Sequence, residues 1–153
     1  VDVEVTELDG FSYVAWPGQG DPAKGIPQVI TALAGIAGPQ GLFEHMTGAP
    51  FTRYVGITAD GSGEMEWEVG FPLAPEAPVA APLELKRFPG GPFATSMHTG
   101  PYEGLSGAYD ELVPQVARDY ELTGEGLEIY VDDPDQVAVE ALRTKLLLGI
   151  RRP

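Results

Sequence analysis

The second half of this chain retraces the first, and that repetition limits the available folds more than any single motif does. Val3-Glu4-Val5 is matched by Leu83-Glu84-Leu85, apolar–acid–apolar in both and alternating as a strand does. Phe11, Trp16 and Gly18 fall over Phe93, His98 and Gly100 at a constant offset, and Val69-Gly70-Phe71 corresponds to Leu148-Gly149-Ile150. The matches keep the same order in both halves, so a duplicated unit accounts for them together. Leu73 to Pro82 is rich in Pro and Ala and reads as an extended linker. We therefore expect a single domain over 1–153, with one repeat over 1–75, the linker over 73–82 and a second repeat over 83–153. A chain of 153 residues supports one substantial core but not two independent ones.

Each half reads strand, strand, helix, strand, strand. In the first, Gly20-Asp21-Pro22 opens a helix with Ile26, Val29, Ile30, Leu33 and Ile36 on one face, stopped by Gly38-Pro39. Pro27 is expected near its first turn, where a missing N–H costs little. In the second, Gly100-Pro101 opens a helix with Leu105, Tyr109, Leu112, Val113, Val116 and Tyr120 on one face, ending near Gly124. Pro114 lies inside it and predicts a kink or break, because it removes the bond to the Asp110 carbonyl. Thr52 to Thr58 and Leu127 to Asp132 read as the third strands; Glu64 to Val69 and Ala141 to Ile150 read as the fourth. Layer logic then gives an α+β fold, one antiparallel sheet of about eight strands with two helices against it. The long segment Pro39 to Pro50 carries Phe43, His45 and Met46, and is either a lid or a loop pinned by Phe43.

Composition excludes several kinds of chemistry. There is no cysteine, which removes disulfides, thiolate zinc sites and cysteine nucleophiles. The only histidines, His45 and His98, share no metal-ligand spacing, and no calcium-loop pattern occurs, so neither metal nor cofactor is expected. Gly18-Gln19-Gly20 lacks the Gly-Lys-Ser/Thr of a phosphate loop and is followed by Asp21, which repels phosphate. Asp132-Asp133-Pro134-Asp135 reads as a turn. A net charge of −14 makes direct nucleic-acid binding unfavourable and raises the local concentration of cations. The longest apolar run is far short of a membrane span, and the acidic, alternating start reads as a strand and not a secretory signal. These features fit a cytoplasmic protein with no membrane association.

What remains is one carboxylate among aromatic residues. In Leu127 to Val131, residues 127, 129 and 131 point one way and Glu128 and Tyr130 the other. That second face either meets water or lines a site. By the repeat, Tyr54 takes the place of Glu128 and Gly56 that of Tyr130, so one face can gather Tyr54, Glu128 and Tyr130. Trp16 and His98 are equivalent, beside the two helix starts. Trp67 alternates with Met65 and Val69 and is either a pocket wall or core.

His98, Gly100, Pro101, Tyr102 and Tyr109, followed by Glu128-Ile129-Tyr130, resemble the GyrI-like small-molecule-binding domain, also found as the effector domain of multidrug-sensing bacterial transcription regulators. The resemblance spans nearly the whole chain and is strongest from Pro92 to Pro134. It implies two βαββ units in tandem and a ligand cleft at their pseudo-two-fold axis. In the drug-sensing relatives the matching glutamate lies at the bottom of an aromatic cleft and meets the ligand's positive charge. Glu128 is then the ligand's counter-charge, with Tyr130, Tyr54, Trp16, His98, Tyr102, Tyr109 and Trp67 around it. Cation–π contacts add roughly 0.5–2 kcal/mol each when desolvated. With no room for a DNA-binding domain, the chain reads as a free-standing member.

The implied function is binding of amphipathic, cationic small molecules. A second possibility is hydrolysis of strained electrophilic natural products, as in some free-standing relatives. Glu128 then serves as general base, with Tyr130 or Tyr102 as proton donor. A third is inhibition of a protein partner through the acidic surface.

Overall fold

A computed structural model of the chain describes residues 1–151. It is an α+β fold of two helices and eight strands in one sheet, every neighbouring pair antiparallel. In chain order the elements are β1 (Glu4–Leu8), β2 (Phe11–Pro17), α1 (Pro22–Ala37), β3 (Phe51–Val55), β4 (Glu66–Leu73), β5 (Lys86–Phe88), β6 (Gly91–Thr99), α2 (Leu105–Asp119), β7 (Leu122–Tyr130) and β8 (Arg143–Ile150). The strands lie in the order β1-β6-β8-β7-β3-β4-β2-β5. β1 and β2 follow each other after two residues yet do not pair. β1 joins β6, and β5 joins β2, so each first strand lies beside a strand from the other half of the chain.

Helix α1 forms where periodicity and cap agree. Asp21 caps α1 by accepting from the Ala23 N–H, and Pro22 fills the first position, where its missing donor costs nothing. Val29 and Leu33 are buried, while Ile30, expected on the same face, is exposed. Pro27 is the sixth residue of α1, in its second turn and not its first. α2 follows a 3-10 turn over Tyr102–Gly104 and ends at Asp119, not near Gly124, because Leu122 already belongs to β7. The helix runs unbroken through Pro114. Pro114 and Asp110 are both on the wet side, where water can bond the released Asp110 carbonyl.

The strand limits differ from the sequence reading for local reasons. β3 stops at Val55 because Gly56 adopts φ +100, which lets Gly56 N–H and Ile57 N–H both donate to the Gly124 carbonyl. Leu83-Glu84-Leu85 is not strand. Leu83 N–H bonds Ala80 in a turn, and the Leu83 side chain is buried with Leu33, Leu42 and Ala77. The preceding Pro/Ala segment packs as well, since the Gln40 side chain holds both the N–H and the carbonyl of Ala80. In Pro39 to Pro50, Leu42 is buried, Phe43 stacks on Phe71, and Thr47 N–H and His45 O bond the end of β4 and Ala74. That loop is pinned to the core.

Both helices cover one face of the sheet. α1 rests on β2 and β4, and α2 on β6 and β8, through Leu105, Leu112 and Val116 against Ala94, Leu146 and Leu148. Each such buried Leu or Val side chain stabilises the fold by about 1.5–3 kcal/mol. The opposite face curls on itself. Phe88 of β5 reaches Phe93 of β6, and Tyr13, Phe51, Leu127 and Leu147 complete that layer. At its wet margin Arg53 meets Glu125 and Glu68, and Glu68 also binds Lys86 and the Tyr13 hydroxyl. Burial, then the bond to Glu68, pushes the Tyr13 phenol up to about 12. Strands β7 and β3 are left between the helices, and the candidate site lies there.

Candidate functional site

Register assembles the site. Thr52 of β3 pairs with Glu128 of β7, and Tyr54 pairs with Gly126, so Thr52, Tyr54, Glu128 and Tyr130 share the helix-bearing face. Gly126 offers no side chain there, which leaves room for the end of the Ile57 side chain, whose Cδ1 lies 2.5 Å from where a Cβ would sit. Glu128 does not face water: it is 2% exposed. Its Oε2 accepts from the Tyr130 hydroxyl at 2.6 Å and the Tyr54 hydroxyl at 3.1 Å; its Oε1 accepts from the Tyr109 hydroxyl of α2 at 3.3 Å. The Tyr130 oxygen also lies 2.6 Å from Thr52 Oγ1, which adds a fifth polar group to the cluster. The rings of Tyr54 and Tyr109 meet edge to face, and Tyr102 packs the same way on Tyr130.

The electrostatics follow from burial. Desolvation pushes the Glu128 carboxyl above its ordinary range, and the bonds from Tyr130, Tyr54 and Tyr109 draw it only part of the way back. Burial first, and then the Glu128 charge, raises all three phenols, Tyr109 and Tyr130 well above the usual value. At neutral pH the three tyrosines are therefore O–H donors aimed at one carboxyl group. No Lys or Arg forms a salt bridge with Glu128 among the described residues. A buried carboxylate normally has a cationic partner, and no Lys or Arg among the described residues takes that place.

The remaining sequence-derived residues divide. Tyr102 is 38% exposed and forms the outer edge of the cluster through its contact with Tyr130. His98 lies beside the loop that carries Tyr102; its Nε2 is 3.1 Å from the Pro101 carbonyl. Trp67 is core: it is buried with Val29 and Val69 behind Tyr54, and its indole N–H donates to the Gly20 carbonyl. Gly18 and Gly25 lie against the Trp67 ring, leaving no room for a side chain at either position. Trp16 packs on the same cluster, behind Tyr54. Among the described residues no group of three or more His, Asp or Glu side chains is placed to hold a metal ion, and no helix is long and apolar enough to cross a membrane.

The model of one family, the GyrI-like small molecule binding domain, matches residues 2–151. The chain belongs to that family. Solved structures share the fold over nearly the whole GyrI-like domain. The C-terminal domain of EcmrR superposes with a TM-score of 0.77 at 17% identity, covering 99% of this chain and 98% of that one. SAV2435 bound to tetraphenylphosphonium gives 0.68 at 11% identity, covering 99% and 94%. A hydrolase from Listeria innocua gives 0.65 at 16% identity, covering 97% and 91%. At these identities the likeness is one of fold. None of the curated proteins matches the chain.

Two residues on the Glu128 face of this GyrI-like domain were not singled out by the sequence. Thr52 lies two residues before Tyr54 in one strand, so the period-2 rule that chose Tyr54 also selects it. Thr144 stands opposite Tyr130 in β8, and no local pattern marks it. A surface groove of ≈ 330 Å³ lies alongside, between β6 and the first half of α2, lined by Ser96, Met97, His98, Gly107 and Glu111.

Proposed function

We propose that this GyrI-like domain binds lipophilic organic cations, with Glu128 as the counter-charge and Tyr54, Tyr109, Tyr130 and Tyr102 as the aromatic walls. One observation carries the reading: a nearly fully buried carboxylate with three phenolic donors and, among the described residues, no Lys or Arg paired to it. A cation returns such a carboxylate to its ionised form, and the tyrosine faces add cation–π attraction. The fold shared with SAV2435, which was solved with tetraphenylphosphonium, supports the same reading. So does the net charge of −14, which concentrates cations near the surface. Entry displaces the exposed Tyr102 ring from Tyr130, and His98 steadies the loop that carries it. Trp16 and Trp67 act behind Tyr54 as packing.

Titration calorimetry with tetraphenylphosphonium and neutral triphenylphosphine oxide, on wild type and Glu128→Gln, tests this. A cation about 5 Å from the carboxylate at an effective dielectric near 20 gains about 3 kcal/mol, on the order of 100-fold in affinity. The expected result is that the phosphonium binds and loses about that factor in the variant, while the neutral analogue changes little. Equal phosphonium affinity in both proteins refutes it.

The raised Glu128 carboxyl also favours a second reading. A desolvated carboxylate beside phenols is suited to act as general base on water, with Tyr130 or Tyr102 returning the proton. Product formation from a strained electrophile, abolished in Glu128→Gln, distinguishes catalysis from binding alone.

A further inference from the structure

Among the described residues one buried side-chain oxygen has no hydrogen-bond partner, Thr144 Oγ1. Thr144 is 0% exposed and lies in β8 directly between Tyr130 of β7 and His98 of β6. Residues paired across a sheet project to the same side, so this hydroxyl shares the face that carries Glu128. Glu128 pairs with Leu146, which makes Thr144 its diagonal neighbour, at about 7–8 Å for such a pair. The other buried hydroxyls around Glu128 are engaged: Tyr54, Tyr109 and Tyr130 with the carboxylate, and Thr52 with Tyr130.

The chain thus satisfies the buried hydroxyls bonded to the carboxylate cluster and leaves the next one along the sheet unpaired. Buried polar groups are almost always bonded, and an unpaired one is costly until something supplies the bond. His98 adds to this. Its Nε2 faces a carbonyl, which only accepts, so Nε2 carries the hydrogen and Nδ1 of the neutral ring is an acceptor. The threonine hydroxyl can donate and the imidazole can accept. A ligand hydroxyl is the group that answers both.

We propose that Thr144, with His98 beside it, forms a second and neutral recognition point of the Glu128 site, selecting cations that carry a hydroxyl about one aromatic ring from the charge. The inference rests on the cation reading above and adds to it a chemical class that a purely hydrocarbon cation does not represent. A ligand that lifts Tyr102 from Tyr130 uncovers the phenol first and reaches Thr144 next, since the two are paired across β7 and β8.

The test is a matched pair of phosphonium cations, (4-hydroxymethylphenyl)triphenylphosphonium and its 4-ethylphenyl counterpart, titrated into wild type, Thr144→Val, Thr144→Ser and Glu128→Gln. Valine keeps the shape and removes the hydroxyl; serine restores it. Desolvation of the ligand hydroxyl is common to all four proteins, so the readout is the ratio of the two affinities. The wild-type preference for the hydroxymethyl cation is expected to fall about 3- to 10-fold in Thr144→Val. Thr144→Ser should retain it, while Glu128→Gln weakens both cations together. If Thr144→Val leaves the ratio unchanged while Glu128→Gln still weakens both cations, the second point is overturned and the cation reading stands. If neither cation binds wild type, both fall.

Discussion

Glu128 is the residue whose replacement separates the cost of a buried charge from the value of the bonds around it. Burying a lone carboxylate costs several kcal/mol, and three phenolic bonds to it return about 1.5–3 kcal/mol each. Glutamine keeps those bonds without the charge. Its amide oxygen can take the Oε2 position, accepting from Tyr54 and Tyr130, and its NH2 can donate to the Tyr109 oxygen. Glu128→Gln is therefore expected to be as stable as wild type or up to about 2 kcal/mol more stable near pH 7, a rise of up to roughly 8 °C in Tm. Alanine instead strands three buried hydroxyls and leaves a cavity, which should cost about 3 kcal/mol or more. The sign of the pH dependence follows from the raised carboxyl. The folded state holds the proton more tightly than the unfolded chain. Wild type therefore loses stability as pH rises from the ordinary carboxylate range through the folded value, and the glutamine variant does not. Urea unfolding of all three proteins at about pH 7.5 and about pH 4.5 measures this, and only the difference from wild type is read, so that other titrating groups cancel. The reasoning fails if the glutamine variant is more than about 1 kcal/mol less stable at the higher pH. It fails equally if its advantage over wild type does not grow with pH.

Tyr130→Phe removes a bond to Glu128 and the partner of Thr52, so chemical denaturation should show a loss of about 1–3 kcal/mol. Gly18→Ala drives a methyl group into the buried Trp67 ring; a loss of about 1–3 kcal/mol with altered tryptophan fluorescence is expected. Pro114→Ala restores the bond to Asp110 on an exposed helix surface and should stabilise the protein by up to about 3 kcal/mol, read as a higher denaturation midpoint.

Much of the fold was legible in local pattern. The apolar spacing and cap of α1 placed that helix within a residue or two of its observed limits, because cap and periodicity are properties of neighbours in the chain. α2 was legible in its apolar face, but its end was not, since Leu122 to Gly124 could extend a helix or begin a strand. The sheet also hid which strands pair. Alternation in Val3-Glu4-Val5 says that a strand exists but not that β1 crosses to β6 in preference to its neighbour β2. Arg53 with Glu68 and Glu125 was equally invisible, because the three come from different strands and meet only through register.

The candidate site shows the same division. Sequence alone determined that Glu128 and Tyr130 share one face of a strand, since the side-chain period of an extended chain is fixed at two. Resemblance to the GyrI-like family then named Tyr109 as a companion. Sequence did not determine whether that face was wet: the same alternation serves an exposed strand and a buried one. Only tertiary structure decided it, by laying β3 against β7 and placing a helix on either side, which brings Tyr54 and Tyr109 onto one carboxylate and excludes water from it. Thr144 depends on the tertiary structure still more. Its hydroxyl matters because of what lies on the strands to either side, and those strands are distant in the chain.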